Sequence, residues 1–278
     1  MQKQIFCLYP PPFSEVPLKG LYLGHRLFEL GLSGRPRPFV YANFLASLDG
    51  RIALEDMRTG QPYLPKSLTT PADFRLFLEL EAQADCLITH GGYLRALAEG
   101  TLGNILQLGA HPAGEDLVAW RQSQGLKPQP AIAIASGSLD FVIPESVRIH
   151  HQPVYLFTGE GADPVRVEAW RKEGYPVIFA GSGRLVEGRR LISILGQLGY
   201  RSIYLIAGPA MLDTVLRSGQ LDRLYQTITH QLMGGEAFRT MLPGPELGLI
   251  GHLRLRSLYY DPAGPGGAGQ WFAQFDSQ

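Results

Sequence analysis

Cysteine is scarce in this 278-residue chain: Cys7 and Cys86 stand alone. Two such residues form neither a disulfide framework nor a C-x-x-C metal or redox pair. Cys86 falls in the apolar run "DCLITHGG" and reads as a small buried hydrophobe. A charge excess is missing too, since 25 basic residues balance 25 acidic ones. Binding to a phosphate backbone needs a concentrated basic face, so no nucleic-acid partner is expected. The densest basic stretch, "RLVEGRR" from Arg184 to Arg190, contains Glu187 and reads as a solvated helix start.

No apolar run approaches the 18 or so residues of a membrane span, and the expectation is no membrane partner. "MQKQIFCLYPPP" lacks the apolar core and cleavage site of a secretory signal, which makes the cytoplasm the expected compartment. The seven histidines show no H-x-x-x-H spacing, and His150 and His151 on a strand would point to opposite faces, so no metal is expected. There is no G-x-S-x-G elbow for acyl transfer and no H-x-E or P-C-x-x-C zinc-deaminase signature. The sole G-x-G-like stretch, "GSGRLVEG", carries no third glycine and is set aside.

What is present is a substantial apolar fraction, 45%, with 18% charged residues, enough for a sizeable core. Residues 1–37 read as an N-terminal extension packed on the domain that follows at 38–278. Within it, "YPPPFSEVP" is not expected to form a regular element, because consecutive prolines remove donors. "LYLGHRLFELG" fits a strand pair or a short helix.

From residue 38 strands and helices alternate. "PFVYANFLAS" is apolar on both faces, as the middle of a covered sheet requires. "TPADFRLFLELEAQ" opens with Thr70 as N-cap, Pro71 at the first helical position and Asp73 in a capping-box pattern. Phe74, Phe77, Leu78 and Ala82 follow as one helical stripe. "DCLIT", "AIAIAS", "PVYLFTG", "PVIFAG" and "SIYLIAGP" are short buried strands; "GRRLISILGQLG" and "PAMLDTVLRSG" are helices. "RLYQTITHQL", "HLRLRSLYY" and "QWFAQF" follow too closely for helices between them and should pair antiparallel. The fold class is therefore α/β: a mostly parallel central sheet, helices on both faces and an antiparallel C-terminal hairpin.

Ligands of such sheets bind outside the carboxyl ends of the parallel strands. Three junctions there carry glycine or small polar residues: "SLDG" (47–50), "THGG" (89–92) and "AGP" (207–209). "AGPAMLDT" reads either as an ordinary tight turn or as a phosphate seat at a helix N-terminus. Asp49 caps backbone N–H groups of its turn or orients a ligand, and the two are compatible.

The stretch "RPFVYANFLASLDGRIA", together with "ADCLITHGG" and "LGYRSIYLIAGPAMLDTVLRSGQLDRLYQTITHQLMGG", resembles the pyrimidine reductase family of riboflavin biosynthesis. That family is the reductase half of the bifunctional deaminase/reductase and has a dihydrofolate-reductase-like fold. The three motif regions occur in the family's order across about residues 36–275.

The resemblance implies NADPH as cofactor, hydride transfer to C1′ of a phosphoribosylaminopyrimidine, and a homodimer joined at sheet edges, for which the "RLYQTITHQL" strand is the candidate. It implies a catalytic lip of Asn43, Ser47 and Asp49. It implies cofactor contacts at Gly91, Gly92, Ser136, Thr158, Gly208, Pro209, Ala210, Met211 and Leu212. Proton-donor candidates are Asp49, His90 and Tyr93, and His90 also reads as a turn histidine satisfied by backbone. Departures cluster at the substrate end. Ile206 and Ala207 replace the family's glutamate and first glycine of Glu-Gly-Gly-Pro, Glu81 replaces an arginine, and His90 and Tyr93 replace the outer residues of Gly-x-Gly-Thr. The alternatives are a reductase of another small heterocycle or carbonyl, and a non-catalytic nucleotide-binding relative.

Overall fold

The computed structural model describes residues 2–32 and 34–278. The early prolines do not prevent regular structure around them: β1 (Gln4–Tyr9) and β2 (Ser14–Pro17) form a hairpin across "PPPF". That corrects the expectation for "YPPPFSEVP", since β2 is an edge strand, where a proline costs no ladder bond. "LYLGHRLFELG" is helical, ending in α1 (Leu27–Leu30).

The alternating region then runs β3 (Phe39–Ser47), β4 (Arg51–Glu55), β5 (Pro62–Tyr63), α2 (Pro71–Glu81), β6 (Cys86–His90), α3 (Gly91–Ala98), α4 (Glu115–Ser123) and β7 (Ala131–Ala135). It continues with α5 (Glu145–Ile149), β8 (Val154–Thr158), α6 (Pro164–Lys172), β9 (Val177–Phe179), α7 (Gly188–Gln197), β10 (Ser202–Leu205) and α8 (Pro209–Arg217). The tail is β11 (Arg223–Thr229), β12 (Phe238–Thr240), β13 (Leu253–Asp261) and β14 (Gln270–Ser277).

The main sheet has eleven strands in the order β2-β1-β13-β14-β11-β3-β10-β6-β7-β8-β9. From β11 to β9 all neighbours are parallel, and from β14 outward all are antiparallel. The expected parallel sheet and antiparallel hairpin β13–β14 are present. β11 differs from expectation on one side, because it pairs parallel with β3 as well as antiparallel with β14. It is therefore an interior strand, and the reading of "RLYQTITHQL" as a dimerising edge is corrected. The free edges are β2 and β9. β12, β4 and β5 make a separate small sheet.

Alternating residues divide the core. Val40, Ala42, Ala133 and Leu205 face α7 and α8. Tyr41, Leu87, Tyr204, Tyr225 and Phe272 face α2 and the N-terminal segment, with Tyr41 and Tyr204 stacked at 5.0 Å. Further along that second face, Ile132, Ile134 and Leu156 pack with Trp170 of α6.

The N-terminal segment packs on the domain and also enters its sheet. Glu79 of α2 is fully buried and accepts hydrogen bonds from Gly20 N (2.6 Å), Tyr22 N (3.0 Å) and Arg75 Nε (2.8 Å). Gln83 accepts from Leu27 N and donates to Tyr22 O, both at 2.8 Å. α2 is thereby covered on both sides: Leu76 and Leu80 face the sheet, the expected stripe of Phe74, Phe77, Leu78 and Ala82 packs toward α4, and Phe77 also meets Tyr204 at 5.7 Å. Its capping box is half formed. The Thr70 hydroxyl accepts from Asp73 N at 2.9 Å, but the Asp73 carboxyl turns down beside Thr227, where burial raises it to about 6.

Glu81, at the end of α2, is fully buried and neither of its carboxyl oxygens has a hydrogen-bond partner. Burial pushes it up to about 8 despite the attraction of Arg121. The native protein thus keeps a proton that the unfolded chain releases above its ordinary value of 4.5. This group's contribution to stability is complete below that value and declines as pH rises to about 8, by up to about 1.4 kcal/mol per pH unit. In urea titrations at pH 5, 7 and 8.5, Glu81→Gln should gain on the wild type through that window and hold a constant advantage above it; an advantage independent of pH would refute a protonated Glu81.

Candidate active site

The end of β3 shows why a buried strand finishes on a hydroxyl, a carboxylate and a glycine. Gly50 N donates to Ser47 O at 2.9 Å, and Gly50 takes φ +80°, a left-handed turn position that favours glycine. The Ser47 hydroxyl donates to the Asp49 carboxylate and accepts from Arg51 N at 3.0 Å. Asp49 reaches across to the loop after β11, accepting from Met233 N (3.2 Å) and Gly234 N (3.0 Å), and pairs with Arg51. Arg51 in turn lies 4.2 Å over the Phe238 ring. Partial burial would raise the Asp49 carboxyl, but the Ser47 hydroxyl, the two amides and Arg51 outweigh it and hold it at about 2.

Asp49 and Ser47 are thus engaged in joining two loops, and Asp49 stays ionised at neutral pH, which removes it as a proton donor. Asn43 stands beside the Tyr204 hydroxyl on the α2 face of the sheet.

A cavity of about 280 Å³ opens at the carboxyl ends of β6, β7 and β10. Its wall is His90 after β6; Ala135, Ser136 and Gly137 after β7; Leu185 and Val186; and Gly208 to Met211 with Thr214 on α8. Of the expected cofactor contacts, Ser136, Gly208, Pro209, Ala210 and Met211 therefore meet in one place. Thr158 and Leu212 are sealed in the core, at 0% and 1% exposure, and their side chains do not reach it. Gly91 and Gly92 lie behind the wall, and packing accounts for both. A Cβ on Gly91 would come within 2.8 Å of Ser136 Oγ and 2.9 Å of the Phe141 ring, and one on Gly92 within 2.9 Å of His90 Nδ1.

Gly208 differs from these. Its φ of −72° and ψ of −173° suit any residue, and the only atom within 4 Å of an added Cβ is His90 Nε2, at 3.7 Å. The fold does not require a glycine there. It leaves open space over the N-terminus of α8, which has no side-chain cap. Backbone amides and the positive dipole end at that point suit an anionic ligand. The residues fit a dinucleotide phosphate, and the volume, near the lower end for ligand pockets, encloses part of such a molecule.

Sequence reasoning missed Leu185 and Val186, because "GSGRLVEG" does not fit a dinucleotide fingerprint. Packing accounts for Gly181 and Gly188 of that stretch: a Cβ on Gly181 would sit 2.1 Å from Leu185 O, and one on Gly188 2.4 Å from Ser218 Oγ. The sequence carries no signal for them; Leu185 is 71% exposed on the rim only in the folded chain. His90 is satisfied by backbone at one nitrogen, Nδ1, which accepts from Tyr93 N at 3.3 Å. Burial and then Arg95 lower its pKa. Burial raises Tyr93 to about 12, and its hydroxyl donates to Gly103 O and accepts from Ile105 N, both at 3.0 Å. Neither residue carries a proton poised for release at neutral pH. Among the described residues no group of His, Cys, Asp and Glu is arranged to hold a metal ion.

The sheet, its flanking helices and the cavity at its parallel carboxyl ends have the dihydrofolate-reductase-like architecture. Residues 38–264 match the RibD C-terminal domain, and the chain belongs to that family of reductases in riboflavin biosynthesis. It is 24% identical over 208 residues to the 2,5-diamino-6-ribosylamino-4(3H)-pyrimidinone 5′-phosphate reductase of Methanothermobacter thermautotrophicus, covering 75% of this chain and 85% of that one. Its fold matches a pyrimidine reductase-like protein from Corynebacterium diphtheriae, with TM-score 0.64 at 17% identity over 91% of this chain and 98% of the other. It also matches the riboflavin biosynthesis reductase Rib7 of Saccharomyces cerevisiae, with TM-score 0.58 at 15% identity over 93% and 99%.

The Asp49 bridge makes a stability prediction. Asp49→Ala removes two charge-stabilised amide contacts and leaves Arg51 unpaired, a loss of about 1.5–3 kcal/mol. Because the native carboxyl is held at about 2, below its ordinary 3.8, this stabilisation is present above pH 3.8 and fades as the pH falls toward 2. Denaturant melts of Asp49→Ala and wild type should therefore differ at pH 7 and converge near pH 2; parallel curves would refute the bridge.

Proposed function

We propose that the protein reduces a ribosylaminopyrimidine 5′-phosphate with NADPH, delivering hydride to C1′ to give the open ribityl chain. The observation that carries this reading is Gly208: a glycine that neither conformation nor packing demands, at an uncapped helix N-terminus in a chain of this family. The bound nicotinamide would supply the hydride. The chain's part is to seat the dinucleotide against Gly208–Met211, line its path with Ser136 and Thr214, and exclude water with Leu185 and Val186. Holding reactants in register accounts for much of the rate of such a reaction.

NADPH rather than NADH is favoured by Arg184. It is exposed, sits beside rim residue Leu185, and forms no ion pair among the described residues. Its neighbour Arg190, in contrast, is engaged by Glu160 and Glu187. An exposed, unpaired guanidinium one residue from the rim suits a 2′-phosphate.

A second copy of the chain is the expected partner. The outer strands leave a half-exposed apolar surface on the face away from the N-terminal core, with Phe6 stacked on Phe13 at 5.4 Å and Tyr260 and Trp271 along the same row. Sedimentation at micromolar concentration should give a dimer that Phe13→Asp dissociates, and a wild-type monomer would end that proposal. A soluble cofactor and a phosphorylated substrate suit a cytoplasmic enzyme, and among the described residues no helix is long and apolar enough to cross a membrane.

The reading is tested by nicotinamide fluorescence titration. Wild type should bind NADPH more tightly than NADH. Gly208→Asp should fold normally but lose both nucleotides, since it puts a carboxylate where the phosphate sits. Arg184→Ala should lose roughly tenfold in NADPH affinity and leave NADH unchanged. Failure of folded wild type to bind either nucleotide would overturn the assignment.

A further inference from the structure

The wall opposite Gly208 holds a histidine where the resemblance places a glycine. His90 ends β6 and caps α3, and its ring lies between two glycines. On one side, Gly92 makes room for it, because a Cβ there would come within 2.9 Å of Nδ1 and 3.0 Å of Cε1. On the other side, Nε2 stands 3.7 Å from the point a Cβ of Gly208 would occupy, facing the cavity.

The ring's protonation is determined by the cap. Nδ1 accepts the Tyr93 N–H and therefore carries no proton, so the neutral ring bears its proton on Nε2. Burial and the nearby Arg95 guanidinium favour that neutral form. Nε2 has no hydrogen-bond partner among the described residues. The cavity thus contains one oriented N–H donor with nothing to donate to, and an uncapped helix N-terminus beside it.

We propose that His90 donates its Nε2–H to a pyrophosphate oxygen of the bound dinucleotide and thereby holds that group over Gly208. The contact rests on the dinucleotide reading above. A pyrophosphate oxygen is favoured over a neutral carbonyl because α8 directs its positive end to the same point. The helix cap and the ligand contact use different nitrogens of one ring, so a single side chain fixes the entry of α3 and the seat of the cofactor. The family's glycine offers neither contact, which makes the donor a feature of this chain.

The two roles can be separated. Asparagine is a competent N-cap, so His90→Asn keeps the Tyr93 N–H satisfied while removing the Nε2–H. Its thermal midpoint should stay within a few degrees of wild type. Its affinity for NADPH and NADH alike should fall ten- to a hundredfold, because both share the pyrophosphate. His90→Ser, another capping residue, should behave the same way and serves if the asparagine variant misfolds.

In ¹⁵N-histidine spectra, His90 of the free protein should show the Nε2–H tautomer, and its Nε2 signal should move on NADPH addition. Unchanged nucleotide affinity in His90→Asn, or the Nδ1–H tautomer in the free protein, would overturn the contact. Loss confined to NADPH would relocate it to the 2′-phosphate and overturn it equally. Wild type that binds neither nucleotide fails at the earlier step and refutes the reductase reading itself; wild type that binds both with a silent His90 refutes only this contact.

Discussion

The register of β3 against β11 is the constraint on which the rest of the structure depends, and a carboxylate latches it at each end. At the start, Asp222 takes both guanidinium nitrogens of Arg37 at 2.7 and 2.9 Å, pairs with Arg35, and accepts Val40 N at 2.8 Å. At the finish, Asp49 holds Met233 N and Gly234 N. A slip of one residue would turn Tyr41 and Tyr225 out of one core and Val40 and Leu224 out of the other. The two latches sit outside the hydrophobic layers, where their charges remain partly hydrated. They fix a pairing between segments about 180 residues apart without burying an unpaired ion.

β10 depends on that pair, since it lies parallel to β3 on the other side and continues directly into Gly208. β6 flanks β10 and ends at His90. The two cavity walls therefore come from adjacent strands of one rigid sheet, and their spacing is set by the sheet rather than by loops. The polar groups of the site are accordingly backbone, the hydroxyls of Ser136 and Thr214 and one imidazole, set among apolar side chains. Positions that precise need no long flexible side chain to reach the ligand.

Much of this was legible locally. Apolar runs of four to six residues, Thr70-Pro71 at a helix start and Gly199 and Gly219 at helix ends mark their elements because each signal acts within one turn. The cavity's α8 side was legible from "AGPAMLDT" for the same reason. What was hidden depends on partners far along the chain. β1 joins the sheet by pairing Phe6 with Tyr260, and no local pattern announces that. The stripe Phe74, Phe77, Leu78 and Ala82 of α2 packs together as read, but the helix also buries Leu76 and Leu80 on a second side and turns Glu79 to the N-terminal segment, a partner that no local pattern announces. Leu185 and Val186 approach the cavity from a loop that carries no dinucleotide fingerprint and whose Gly181 is required by packing, so no local pattern marks them.

The departures from the family can be given physical content at Ile206. It continues β10 on the face that packs against both the Tyr204 cluster and the Ile132–Trp170 cluster. A glutamate there would bring a charge to the seam between two apolar groups, a costly placement without a paired cation. Here the seam is closed with a branched apolar side chain instead, and no carboxylate lines the cavity. The replacement at 206 therefore closes the core beside the cavity rather than lining it.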